Sequence, residues 1–330
     1  MINKKADSKI WIVVLLIIII LLLGVIVFFV LGKNIPLANN QNNPLNNQQA
    51  LPNLNQPPAN GNTQNPQSSQ ANVGEGTIYC YKSIDSLTLE KCPNPVATDA
   101  GSPGAMYDGE NMRVYFHKQR DVYMTISKDG DNWEEQKISV SGLPNGIAVE
   151  DPEPVLLDNG KIRLYFYEYV IGQNSATRME NFTIGSAISD DGINFIVEPG
   201  ARNTFERIMD PNVVKMGDVW RMYNSQVPYN LIGEGKVFSF ISYDNGMSFQ
   251  FEKQINVTNI IASVIEVPEG YRMYYNDHPA QPPMKTYSAF SSDGVNWKEE
   301  GVRIIGGGSP AILKKGNEYW YFFAVRSPQN

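Results

Sequence analysis

Asp151 and Asp210 each stand directly before a proline, in DPEPVLL and DPNVVKM, at the head of a short apolar run. Two carboxyl groups brought together can divide acid and base work, one giving a proton and the other acting as base or nucleophile. Cleavage of a glycosidic bond asks for that division. Glu168, directly after Tyr167, is the third carboxyl expected to act with them; Glu150 and Glu153 flank the first Asp-Pro. An Asp-Pro pair also has a plain structural use, since Asp accepts backbone N–H bonds and Pro suits the first position of a strand.

Further polar groups recur at equivalent places. They are His117 with Arg120, Asn224 with Gln226, Asn276 with Asp277 and His278, and later Ser309 and Arg326. With Glu150 they form the expected binding set. The chain has only two histidines, and both belong to it. Directional donors and acceptors of this kind suit a sugar-sized ligand.

The elements that must position these groups are written as a repeat. SPGAMYDGENMRVYF, DPEPVLLDNGKIRLYF, DPNVVKMGDVWRMYN, SVIEVPEGYRMYY and SPAILKKGNEYWYFF begin at Ser102, Asp151, Asp210, Ser263 and Ser309. Each reads as a strand, a tight turn and a second strand rich in Tyr, Phe and Met. A third strand and a Ser-x-Asp-Gly turn follow, as SKDGDNW, SDDGINF, SYDNGMSF and SSDGVNW, with a faint copy SIDSLTL at Ser83. Four antiparallel strands repeated at a period near 50 residues signal an all-β, five-bladed β-propeller. The last unit ends after two strands, so the N-terminal strands from residue 76 are expected to complete it and close the ring. Cys80 and Cys92 flank SIDSLTL and face each other if that phrase is a hairpin turn, which makes a disulfide the expected pairing. In this topology the starts of the first strands and the ends of the second share one rim, and the Ser-x-Asp-Gly turns occupy the other. Arg113, Arg163, Arg221 and Arg272 recur at one place in the second strand, which marks them as structural.

On these residues, 76–330 resembles the five-bladed propeller glycosidases of the arabinanase, β-xylosidase, invertase and levansucrase group. The resemblance implies an Asp, Asp, Glu triad on three successive blades. The match is partial. If the triad starts at the first blade, Ser102 stands for the base and Asp210 for Glu; if it starts at Asp151, Ser263 stands for the acid. The implied activity is that of a glycoside hydrolase acting on polysaccharide. The alternative is a non-catalytic glycan- or protein-binding propeller.

The rest of the chain sets the location. After residues 1–10, with three lysines, residues 11–32 carry no charge over 22 positions, about 33 Å of helix and enough to span a bilayer core. The lysine-rich flank places the N-terminus in the cytoplasm and the propeller outside it, held by a signal anchor. Residues 33–75, rich in Asn, Gln and Pro, read as a disordered linker. A net charge of −7 without a basic run argues against nucleic acid. No motif calls for a cofactor; a metal is left unassigned, with a structural channel ion such as calcium left open.

Overall fold

The computed structural model describes residues 76–170, 183–226, 235–257, 260–277 and 283–325, all within one compact unit. The expected membrane span, its N-terminal flank and the linker lie outside the described residues. Among the described residues every regular element is a strand, and no helix is long and apolar enough to cross a membrane.

A seven-stranded sheet carries both chain ends. Its order is β19 (Gly308–Lys315), β20 (Glu318–Val325), β1 (Gly76–Ser83), β2 (Glu90–Tyr107), β3 (Met112–Lys118), β4 (Asp121–Ser127) and β5 (Glu134–Lys137). β2 is long because it serves twice: Glu90–Ala100 pairs with β1, and Gly101–Tyr107 pairs with β3. β1 in turn pairs with β20 from Thr77–Val325 to Ser83–Tyr319, so N-terminal strands complete the C-terminal hairpin. Cys80 and Cys92 are disulfide-bonded across that closing segment, with both residues buried.

The second sheet runs β7 (Ile147–Leu156), β8 (Ile162–Val170), β9 (Ile184–Ser189) and β10 (Asn194–Val197). At its outer edge β6 (Ser139–Ser141), from the incoming connection, pairs in parallel with β10. Two four-stranded sheets follow. One is β11 (Ile208–Met216), β12 (Val219–Gln226), β13 (Lys236–Ser242) and β14 (Gln250–Ile255); the other is β15 (Ile260–Val267), β16 (Gly270–Asn276), β17 (Lys285–Ser291) and β18 (Lys298–Ile305). β2, β7, β11, β15 and β19 touch one another in cyclic order, β19 returning to β2, so the first strands ring a central axis. The core fills the spaces between neighbouring sheets. One cluster joins Tyr115 of β3 to Leu164 and Phe166 of β8, and another joins Tyr223 of β12 to Tyr275 of β16 and Trp297.

Each sheet is tied to the next at the Ser-x-Asp-Gly turn. Inside the turn at Asp191, the carboxylate accepts the N–H groups of Ile193 and Asn194, and the Ser189 hydroxyl accepts that of Gly192. Gly192 has φ 77°, and a Cβ there would meet Arg113 and the Tyr115 hydroxyl of the preceding sheet at 2.7 Å. Arg113 donates to the Asp191 carbonyl and Tyr115 to the Gly192 carbonyl. Arg163 with Tyr165, and Arg221 with Tyr223, repeat this on the turns at Asn245–Gly246 and Asp293–Gly294. Arg272 and Tyr274 reach Ser86, which takes the glycine's place with φ 59°. The four arginines are thus structural, and each also holds a carboxylate of its own sheet: Asp108, Glu198, Glu252 or Glu300. At the last junction Trp320 and Phe322 replace Arg and Tyr, the Trp320 ring covering Gly130 and Phe322 meeting Trp133 edge-on.

β2 and β7 meet at Gly104, where a Cβ would lie 1.9 Å from the Pro152 carbonyl oxygen and 2.8 Å from Pro154 Cδ. Backbone cannot yield as a flexible side chain does, so Gly104→Ala is expected to cost roughly 1–3 kcal/mol. The check is thermal unfolding: a lowered Tm is predicted, and an unchanged Tm would show that these strands separate freely.

Candidate functional site

All five first strands bulge at the axis. In β7 the pairing passes from Glu150–Tyr167 to Glu153–Tyr165, so Asp151 and Pro152 oppose the single residue Phe166. The same two-against-one step holds for Ser102–Pro103, Asp210–Pro211 and Ser309–Pro310. Ser102, Asp151, Asp210 and Ser309 have φ of 47°, 48°, 50° and 49°, in the left-handed region that non-glycine residues avoid. These bulges line a cavity of about 40 Å³ together with Glu153, Asn212 and Ser263. That is room for a water or two between the first strands.

One sequence expectation needs correcting here. In β15 the step lies between Ile260 and Ser263, so the position matching Asp151 is Ile261, and Ser263 matches Glu153 and Asn212. Ser263 therefore does not stand where the triad's acid was placed.

Asp210 lies within hydrogen-bonding reach of Asp151. Burial, followed by the charge of Asp151 and the bond to it, holds the Asp210 carboxyl well above the usual carboxylate range, against the opposite pull of the Ser225 hydroxyl. Two like charges in a poorly solvated site repel, which favours the protonated form of Asp210. Glu153 is the third carboxyl at the cavity. Its Oε1 accepts from Asn212 Nδ2 at 2.7 Å and from the Val213 N–H at 3.3 Å. Burial still pushes it up to about 8. Asn212 passes the same support onward, its Oδ1 accepting the Val264 N–H at 2.9 Å. Glu153 was legible only as a neighbour of Asp151; its register position, shared with Asn212, is what turns it to the axis.

The structure separates the remaining expected residues. Glu168 pairs with Val149 and sets Oε1 3.0 Å from the Cβ position of Gly185, against β9 and not among the residues lining the cavity; burial raises its carboxyl. His117 is buried, its Nε2 accepting the Asp151 N–H at 2.9 Å and lying 3.6 Å from Glu150 Oε2. Asn276 does the matching work on the far side: Oδ1 accepts the Ser309 N–H at 2.7 Å, and Nδ2 donates to Thr286 Oγ1 at 2.9 Å. Asn224 is fully buried and donates to the Met209 carbonyl. These three, expected to meet a ligand at the rim, have their side chains turned into the interior. Gln226 donates to the Glu206 carbonyl, and Asp277 accepts the Lys285 N–H. Arg120 is exposed on the β3–β4 turn. His278 and Arg326 lie outside the described residues. No group of three or more His, Cys, Asp and Glu suited to a metal occurs among the described residues.

No family model matches the sequence, and no curated protein matches it. Solved structures do match in fold. A GH32 β-fructofuranosidase of Bombyx mori superposes with a TM-score of 0.56 at 12% identity, over 70% of this chain and 56% of that one, so the chain spans little more than half of that enzyme. An α-L-arabinofuranosidase from Lactobacillus brevis gives 0.55 at 14% identity, over 72% and 87% of the two chains. A GH43 β-xylosidase/α-arabinofuranosidase from a compost microbial metagenome, in complex with xylotriose, gives 0.51 at 16%, over 69% and 86%. The fold is that of the β-propeller glycosidases.

The raised Glu153 carboxyl has a consequence for stability. The folded state keeps its proton to about pH 8, whereas the unfolded chain releases it near pH 4, so stability contributed by this group falls as pH rises between the two. Glu153→Gln should flatten the decline in Tm across that window; an unchanged pH profile would contradict the placement of Glu153.

Proposed function

We propose that the protein is a glycoside-hydrolase-like propeller of five blades that acts on carbohydrate at the rim bearing Asp151 and Asp210. The observation that carries this reading is the carboxyl pair itself. One member, Asp210, has its carboxyl held well above the usual carboxylate range and can donate a proton to a leaving oxygen; Asp151 is its partner carboxyl. The cyclic contact of the five first strands supports the blade number. The uncharged segment at 11–32 supports a single-pass anchor with the propeller outside the cytoplasm, and the linker 33–75 serves as its tether. The substrate class is polysaccharide; nucleic acid is not a partner of so acidic a chain.

A second reading, glycan binding without turnover, is favoured by one specific feature. The Asp210 carboxyl lies within hydrogen-bonding reach of Asp151, closer than the separation of about 5–5.5 Å in retaining glycosidases or about 6.5–9.5 Å in inverting ones. Ser102 at the corresponding bulge of β2 brings no third carboxyl.

The full chain should be assayed against arabinans, xylans, fructans and sialosides for both binding and product release. The first reading predicts cleavage that falls as rising pH removes the Asp210 proton. It also predicts a loss of at least about 100-fold in kcat in Asp210→Asn and Asp151→Asn. Binding without product establishes the second reading, and neither binding nor cleavage overturns both.

A further inference from the structure

Two junctions around the axis solve the same problem with different side chains. Residues His117 and Asn276 occupy equivalent positions, opposite Gly101 and Ile260 just before the bulge of their own sheets. Each reaches forward to the bulge of the next sheet and accepts a backbone N–H there: that of Asp151 for His117, and that of Ser309 for Asn276. The N–H belongs in both cases to the residue with left-handed φ. An accepted N–H fixes the peptide plane ahead of that residue, and with φ set by the bulge it fixes the direction of the Cα–Cβ bond. At Ser309 this orients a hydroxyl. At Asp151 it orients the carboxyl that bears on Asp210.

The two acceptors differ in how completely they are satisfied. Asn276 also donates to Thr286 Oγ1 at 2.9 Å, to the Lys285 carbonyl at 3.2 Å and to the Gly307 carbonyl at 3.4 Å. It is fully tied into its surroundings. His117 accepts through Nε2, which requires the neutral ring with its proton on Nδ1, and that buried Nδ1 has no partner. A buried donor left unpaired is costly, because its bond to water is lost and not replaced. The cost is carried at the junction where the bulge holds Asp151 and is absent at the junction where it holds Ser309.

We propose that His117 is the positioning residue of Asp151: by accepting the Asp151 N–H from the preceding sheet, it sets the carboxyl of Asp151 against that of Asp210. This rests on the acid–base reading of that pair but acts through geometry, whatever the substrate.

The test follows the proton on Asp210 directly. The full chain, solubilised in detergent and labelled with 13C-aspartate, is titrated by infrared spectroscopy. The protonated carboxyl band is assigned by its loss in Asp210→Asn. In His117→Ala the Asp151 carboxyl is freed, and the midpoint of the band should fall by about one pH unit or more. His117→Asn, which installs the amide already used at the equivalent position, should restore the midpoint to that of the wild type. Asn276→Ala should lower Tm and leave the midpoint in place. The proposal is overturned if His117→Ala leaves the midpoint unmoved, or if Asn276→Ala moves it equally. Should His117→Ala fail to fold, a displaced midpoint in folded His117→Asn overturns it and an unmoved one supports it. Absence of the band from the wild type removes the carboxyl pair, and the proposal with it. Absence of glycan cleavage leaves this measurement untouched.

Discussion

An extra residue in the first strand of each sheet is the constraint from which the axis is built. Two residues facing one cannot both join the ladder, so one of them turns out of register and the strand bends. At four of these places a Ser or Asp is forced to φ near +50°, with proline following. Such backbone costs of order 1–3 kcal/mol per residue and persists only where neighbours over-determine it. Here the neighbours are the adjacent sheets. His117 and Asn276 hold the displaced N–H groups, and Glu153 and Asn212 accept the N–H groups of Val213 and Val264 on the next first strand. The strain therefore turns short polar side chains toward the axis, and the ring of sheets keeps them there.

The opposite rim does the holding. Its turns satisfy themselves internally through one carboxylate and one hydroxyl, and then offer their carbonyls to the Arg and Tyr of the preceding sheet. Because this chemistry repeats, it is a poor place for a site, which must differ from its neighbours. Where the chain closes on itself the device changes: Trp320 and Phe322 bring apolar area, Lys315 donates to the Lys128 carbonyl, and the disulfide pins β1 to β2. A junction made from two chain ends begins with more entropy to offset, and the cross-link reduces the freedom of the N-terminal strands in the unfolded chain.

Much of this was legible in the sequence for a local reason. Ser, Asp, Gly and an aromatic residue within seven positions determine a turn by themselves, so SSDGVNW and its copies gave the period and the rim they occupy. The closing role of SIDSLTL followed from the same count, although Ser86 replaces the glycine. The bulges were legible only where proline marks them. In β15, Ile261 and Ala262 take the place of Asp-Pro, and aligning on the apolar run SVIEV shifted Ser263 by two residues onto the wrong position. His117 and Asn276 read as rim ligands because their partners are backbone groups of another sheet, which side-chain types cannot reveal. Glu168 sits on the second strand, opposite Val149 and beside Gly185 of β9, away from the residues that line the axis, and residue type alone does not reveal that position.

The account stands on one proton shared by two aspartates that the fold presses together. A neutron density map of the site near neutral pH tests it most directly. The predicted result is a single deuteron on Asp210 directed at Asp151, with the His117 ring carrying its deuteron on Nδ1 and none on Nε2. Two bare carboxylates separated by water, or a deuteron on His117 Nε2, would contradict it.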